Sequence, residues 1–424
     1  MIGLADCNNF FVSCECSVNP SLCGKPIVVL SNNDGCVVAR SNEAKRLGVR
    51  MGQPAFQLRD MIECGRLIAL SGNHRLYRDI SLKAHAIFHR FVPATIDYSV
   101  DESFLDLTGI PDDEFLCIGD AMVKACLDEL SIPVTIGFAP SKTLAKIYTE
   151  TAKKEGRAVA ICRNAADALP LLRILPIGEL WGIGRRLAKR LYQNGVYTVA
   201  DFINRDPVWV RTLLGLPGER SWRELHGLSC IELEHVARNL QDSISETRTF
   251  PEDIDDFDYL RARIVIYASH CARRLRAMNG SCRSVGVFLR TNPFRPGLPS
   301  VRPEGVERLP RATSLTTEIV AAAVRQLDAI YRPGIPFKRA GVWLTDIRPD
   351  NTIAPTLFDL PDPRHDTTVK VMKIIDAIND RSGDGVIRMA AQLVNDTSHK
   401  IHNDGYSTSF LSPRPENPNE KLGL

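Results

Sequence analysis

The twelve cysteines include no C-x-x-C pair, and only Cys14 and Cys16 stand close together. That argues against a zinc site or a disulfide framework and leaves reduced cytosolic thiols as the expectation. No apolar run approaches the roughly 20 residues of a membrane span, so no membrane partner is expected. The start lacks a charged-then-apolar signal pattern, because MIGLADCNNFF already reads as a folded strand. No internal repeat is visible. With 44% hydrophobic and 24% charged residues over 424 positions, the composition is that of a soluble globular chain of two to four domains.

Neither sign of charge dominates overall: 53 lysines and arginines against 50 acids leave a net +3, which says little about partners. Its distribution says more. From Arg261 to Arg348 there are fifteen arginines and Lys338 against Glu304, Glu307, Glu318, Asp328 and Asp346, a net +11, while the rest of the chain is net −8. A charge run can be a solvated face, but an arginine-dominated excess of domain size points toward a phosphate backbone.

What is present along the first 165 residues is an alternation of strand and helix signals. Strands are expected at Ile2–Asp6, Pro26–Leu30, Gly35–Ser41, Thr95–Val100, Ser103–Thr108, Pro133–Ala139 and Ala158–Cys162. Helices are expected at Asn42–Leu47, Arg78–Phe91, Asp113–Leu130 and Lys142–Lys154, and NNDG, Asn32–Gly35, is a strong hairpin turn. This pattern predicts an α+β sheet with helices on one face. Residues 170–240 read as helical, and Glu252–Asp258 as an acidic connector. The basic segment mixes helices (259–278 and 314–331) with strands (Arg283–Arg290 and Arg339–Asp346), and one amphipathic helix, Thr367–Asn379, stands in a loose tail.

SVDESFLDL, Ser99–Leu107, sets Asp101 beside Glu102 in a strand-like run. Side chains alternate along a strand, so a regular strand would aim the two carboxylates apart. At a strand end, twist or a bulge can re-aim one of them. Unpaired acids in a half-buried sheet are costly, so positive charge is expected nearby. LADCNNFF supplies a third carboxylate, Asp6, at the end of an apolar first strand. Three acids at adjacent strand ends suit one or two Mg²⁺ ions, and such a pair can stabilise both oxygens of a phosphoryl transfer. On the carboxylates alone, turn and surface roles are an equal account. APSKTLAKIYTETAKK places Lys142 and Lys146 at the start of a helix, a natural triphosphate contact, and RSNEAKRLGVRMGQP adds Arg40, Lys45 and Arg46. Either stretch alone reads as a solvated face. Together with the acids they read as nucleotide, metal and phosphoryl transfer.

D-x-N-N-F-F, LSNNDGCVVARSNEAKRLGVRMG, YSVDESFLDLTG and SKTLAKIYTETAKK, in this order, resemble a Y-family DNA polymerase of the UmuC-like branch, the catalytic subunit of DNA polymerase V and its plasmid-borne relatives. The resemblance covers residues 1 to about 348 and implies a right-hand α+β fold. Its parts would be a ferredoxin-like palm within residues 1–168 with small fingers inserted at about 13–74, and a helical thumb at 169–240. An α+β little finger at 243–348 and a tail at 349–424 would follow. By position, Asp6, Asp101, Glu102 and the Cys7 carbonyl match the ligands of two Mg²⁺ ions, and Lys45 and Lys146 the contacts of the incoming dNTP. Phe11 matches the steric gate, a ring that leaves no room for a 2′-hydroxyl, while Phe10 is expected in the core.

LPIGELWGIGRRLAKRLYQNGV resembles a helix-hairpin-helix, with Gly182, Gly184 and Arg185 at a DNA phosphate, and Arg273 and Arg290 are candidate duplex contacts in the basic segment. APTLFDL resembles a sliding-clamp peptide with Leu357 and Phe358 as anchors, although the usual glutamine is missing. VMKIIDAINDRSGDGVIRMAAQL resembles the C-terminal module of UmuC-like proteins, which implies a processed UmuD-like dimer and a RecA filament as partners. The expected activity is template-directed, error-prone translesion synthesis in the DNA damage (SOS) response on primer–template DNA. A small roof over the nascent pair would admit distorted bases. A template-independent cyclase on the same palm and an inactive DNA-binding scaffold are the competing readings.

Overall fold

The computed structural model describes residues 1–31, 35–231, 241–295, 297, 299–350, 365–382 and 386–392. Most of the expected NNDG turn and the Leu357–Phe358 pair lie outside these residues. The chain divides into two compact units, whose described parts are residues 1–231 and 241–392.

In the first unit, β1 (Ile2–Cys7) is buried along its whole length, as its near-continuous apolar run requires of a central strand. The helix Phe10–Val18 follows, then a small sheet in which β2 (Ile27–Leu30) pairs antiparallel with β3 (Val37–Arg40) and parallel with β4 (Ile68–Ser71). After the helix His74–Phe88 come β5 (Ala94–Asp97), β6 (Glu102–Asp106), the helix Phe115–Leu130, β7 (Val134–Ala139), the helix Lys142–Glu155 and β8 (Val159–Ile161). The main sheet runs β5-β6-β1-β7-β8, with β1 antiparallel to both β6 and β7. Without the edge strand β8, this is the β-α-β-β-α-β order of a ferredoxin-like fold.

Helices cover both faces of this sheet, not one as expected. His74–Phe88 and Phe115–Leu130 pack with Ala5, Leu105 and Phe138, while Lys142–Glu155 packs on the other side with Ile2, Leu4 and Phe104. Alternation along β1 feeds the two layers, even positions to one and odd positions to the other. Glycine makes the second layer close: a Cβ on Gly137 would lie 2.5 Å from the Thr149 nitrogen and 2.6 Å from the Ala145 carbonyl oxygen. Further helices extend that layer, among them Ala165–Ile174, Arg185–Gln193 and Pro207–Leu225, the last broken at Gly215.

In the second unit, β9 (Ile244–Ile254), β10 (Gly280–Arg290), β11 (Glu304–Thr313) and β12 (Phe337–Pro349) form an antiparallel sheet in the order β11-β10-β12-β9. The helices Phe257–Ala277 and Thr316–Ile330 share one core with it. The acidic connector expected at Glu252–Asp258 is instead the end of β9 and the cap of the next helix, where Asp256 accepts from the Tyr259 N–H at 3.0 Å. β9, β11 and β4 were not anticipated. The first two are sheet edges with only two buried side chains each, so they carry little apolar alternation. The tail helix, His365–Ser382, lies on Phe257–Ala277 through a two-bond fork from Arg276 to Asp376 at 2.7 and 2.8 Å.

Candidate active site

β1 and β6 bring two of the acids together directly. Asp6 and Glu102 are register partners in the antiparallel ladder, so their side chains share a face. Asp101 stands just outside β6. The Tyr98 and Ser99 N–H groups both donate to the Glu102 carbonyl, at 2.9 and 3.1 Å, and close the hairpin loop. The Cys7 N–H donates to the Asp101 carbonyl at 2.9 Å, and the Ser99 hydroxyl to the Asp101 carboxylate at 2.6 Å. Three acidic residues from distant parts of the chain thus stand at one end of two neighbouring strands, with Asp6 and Glu102 directly opposed.

The cations come from the helix Lys142–Glu155. Lys146 pairs with Glu102, and the Lys153 ammonium sits 2.5 Å from Asp6 and 3.6 Å from Glu150. Lys153 was missed in the sequence, although its signal was there: it follows Lys146 by seven residues, two helical turns, and so shares its face. The start of this helix is not free for a triphosphate. Ser141 accepts from the Leu144 N–H, and the buried Glu224 accepts from the Thr143 N–H at 2.8 Å and the Thr143 hydroxyl at 3.1 Å. A protein carboxylate already fills the anion position that helix N–H groups create. Lys142 is buried, its ammonium 5.0 Å from the centre of the Phe104 ring.

Burial pushes the Asp6 carboxyl up to about 7 from its ordinary 3.8; Lys153 opposes the shift, and Glu102 and Asp101 add to it. Burial pulls Lys153 down, yet Asp6 and Glu150 outweigh it and leave the ammonium above its ordinary range. Lys45 is lowered, by burial first and then by the Arg40 and Lys153 cations. Among the described residues, no three His, Cys, Asp or Glu side chains stand close enough together to hold a metal ion as placed. The donor set nevertheless fits a hard divalent cation. It offers carboxylate oxygens and a backbone carbonyl at adjacent strand ends, and lysine ammoniums now lie against two of the acids.

On the helix Asn42–Arg46, the Lys45 ammonium donates to the side-chain oxygens of Asn9 at 2.6 Å and Asn42 at 3.2 Å. Asn9 adopts φ 49°, a left-handed turn that ends the strand and starts the helix Phe10–Val18. Phe10 is buried in the core, while the half-buried Phe11 stacks on Tyr77 with ring centres 4.4 Å apart. The remaining candidates lie elsewhere. Gly182, at φ 85°, and Gly184 form the turn before the helix Arg185–Gln193, whose first residue is exposed. The limb before that turn is a single 3₁₀ turn, Ile177–Glu179. Arg273 is ion-paired with Asp380 of the tail helix, and Arg290 is exposed at the end of β10.

The impB/mucB/samB family matches residues 5–150, and the impB/mucB/samB family C-terminal domain matches residues 241–357. Protein ImpB of Salmonella typhimurium is 38% identical over 399 residues, covering 92% of this chain and 93% of that protein. The chain belongs to the impB/mucB/samB family. Protein UmuC of Salmonella typhimurium is 35% identical over 396 residues, with the same coverage of both. DNA polymerase IV of Alkaliphilus oremlandii is 26% identical over 410 residues, covering 93% of this chain and 99% of that protein. Among solved structures, the Y-family DNA polymerase chimera Dbh-Dpo4(243-245)-Dbh superposes with a TM-score of 0.67 at 21% identity, over 82% of this chain and 99% of that one. The fold of this family member is therefore that of a Y-family polymerase.

Proposed function

We propose that Asp6, Asp101 and Glu102, with the Cys7 carbonyl, hold the divalent cations of a template-directed nucleotidyl transfer, and that Lys45, Lys146 and Lys153 receive the triphosphate. The chain is a DNA-directed DNA polymerase of the Y family, and its activity is error-prone translesion synthesis. The observation that carries the site reading is the register of Asp6 against Glu102, with Lys146 and Lys153 reaching both acids from one helix.

Divalent-metal use goes with this family, and two Mg²⁺ ions, when bound, would stabilise the attacking and leaving oxygens. The rest falls to the side chains. Lys45, Lys146 and Lys153 neutralise the β- and γ-phosphates of the dNTP, and Phe11 fills the space a 2′-hydroxyl needs. No protein nucleophile is required, since positioning and electrostatics suffice for phosphoryl transfer. On this reading residues 1–168 are palm with fingers at about 13–74, followed by thumb at 169–240, little finger at 243–348 and tail at 349–424. The basic little finger and the Gly182–Arg185 turn grip the primer–template DNA by its phosphates, in the bacterial cytoplasm. Leu357 and Phe358 would dock on a sliding clamp, and the tail would meet a processed UmuD-like dimer and RecA.

Primer extension tests the reading. Asp101→Asn abolishes extension with Mg²⁺ while salt-sensitive DNA binding persists. Extension at the parent rate by this variant would remove the metal-site assignment.

A further inference from the structure

Glu15 is a carboxyl group that the reaction does not use, and it is fully buried on the helix Phe10–Val18. Burying such a group is costly unless its oxygens are bonded. One oxygen accepts from the Tyr77 hydroxyl at 2.7 Å, and the other has no hydrogen-bond partner among the described residues. Four residues earlier, on the same face of the same helix, stands Phe11. Its ring lies 4.4 Å from the Tyr77 ring, with 15° between the planes. His74, near the start of the helix that carries Tyr77, meets both rings edge-on at 5.8 and 5.9 Å. One helix therefore grips Tyr77 twice, by its face through Phe11 and by its hydroxyl through Glu15.

From this clasp we infer that Glu15 and Tyr77 are positioning residues for sugar discrimination: their hydrogen bond fixes the platform on which the Phe11 ring lies. The inference rests on the reading of Phe11 as the gate. Aromatic pairs tolerate a range of offsets, so stacking alone leaves Phe11 free to slide along its neighbour. A bond at the far end of Tyr77 removes that freedom. The gate must distinguish the presence of one oxygen atom, and a small shift of the ring would open that space. Stability alone gives no reason for this pair. Tyr77 belongs to one apolar core with Val12, Cys14, Ile80 and Ala84, and there an apolar pair of similar volume serves as well or better.

The test is the ratio of kcat/KM for a dNTP to that for the matching rNTP, measured on the full chain with primer–template DNA and Mg²⁺. Tyr77→Phe keeps the ring and removes the anchor. We expect the ratio to fall about tenfold, chiefly through a lower KM for the rNTP, a factor equal to about 1.4 kcal/mol. Glu15→Leu gives the same loss, and the double variant is no worse than either single one, because both remove one bond. The double variant leaves no stranded carboxyl, so it keeps the experiment readable if Tyr77→Phe alone folds poorly. Glu15→Gln retains an acceptor oxygen and keeps the parent ratio. An unchanged ratio in Tyr77→Phe and in the double variant, or equal losses for dNTP and rNTP, overturns the inference. Phe11→Ala separates the two levels: if it raises rNTP use while the Tyr77 and Glu15 variants do not, the gate stands and the positioning role falls. If it leaves the ratio unchanged, the gate reading itself fails.

Discussion

Glu224 joins the helix Pro207–Leu225 to the start of the helix that carries Lys146 and Lys153, and its replacement probes how that helix is held. Its two carboxylate oxygens accept from four donors: the Thr143 N–H at 2.8 Å, the Thr143 hydroxyl at 3.1 Å, and the Cys230 and Ile231 N–H groups at 3.1 Å each. Glu224→Ala strands three backbone donors. Each stranded buried donor costs about 1–3 kcal/mol, and water can reach the half-buried Cys230 end, so the loss is about 3–5 kcal/mol. A carboxylate accepts through both oxygens, whereas an amide offers one acceptor and a donating NH₂. In the better orientation of Glu224→Gln, the Thr143 hydroxyl turns to accept while the Thr143 N–H stays unbonded, for a cost of about 1–3 kcal/mol. Thermal unfolding followed by circular dichroism reads both variants. For a unit of this size, the alanine variant lowers the midpoint by about 10 °C. Extension falls with it, because displacing catalytic groups by about an ångström costs up to a hundredfold. A shift under 2 °C for Glu224→Ala, or a glutamine variant as stable as the parent, refutes the reasoning that this carboxyl holds the helix.

Burial lowers the His85 imidazole below its ordinary 6.5 despite Asp97 at 3.2 Å, so the folded state prefers it neutral. Its stability contribution is complete above pH 6.5 and is lost as pH falls below it, by at most about 1.4 kcal/mol per pH unit, and His85→Gln flattens that dependence in urea unfolding at pH 7.5 and 5.5. Gly137→Ala forces a Cβ against the backbone at 2.5 and 2.6 Å, and should destabilise the chain by about 1–3 kcal/mol in the same assay. DNA affinity should fall linearly on a log–log plot against salt, and Arg290→Ala should reduce that slope by about one unit in fluorescence anisotropy titrations.

The strand ends that carry Asp6 and Glu102 were legible because an apolar β1 and a hairpin signal are local properties of the chain. So were the helices of the second unit, whose apolar positions recur at helical spacing. The helix Phe10–Val18 was not anticipated, since FFVSCECSV is rich in residues that also suit strands, and burial against its neighbours selects the helix. β4, β9 and β11 were missed because one is a four-residue parallel strand and the others are wet edges. Lys153 was overlooked for a different reason: a lysine three turns into a helix is common, and only the distance to Asp6 separates it from a solvated one.

The sequence by itself determined which groups were available: three acids, a lysine-bearing helix, an aromatic ring at position 11 and an arginine-rich second half. Only the tertiary structure decided how they are used. It placed Glu102 opposite Asp6 and turned the Lys142–Glu155 helix so that its side, not its capped start, faces the acids. It also fastened Tyr77 to Glu15 beneath Phe11. The physical reason is that strand and helix periodicity are set by near neighbours, whereas the partner of a buried charge is chosen by packing between residues far apart in the chain.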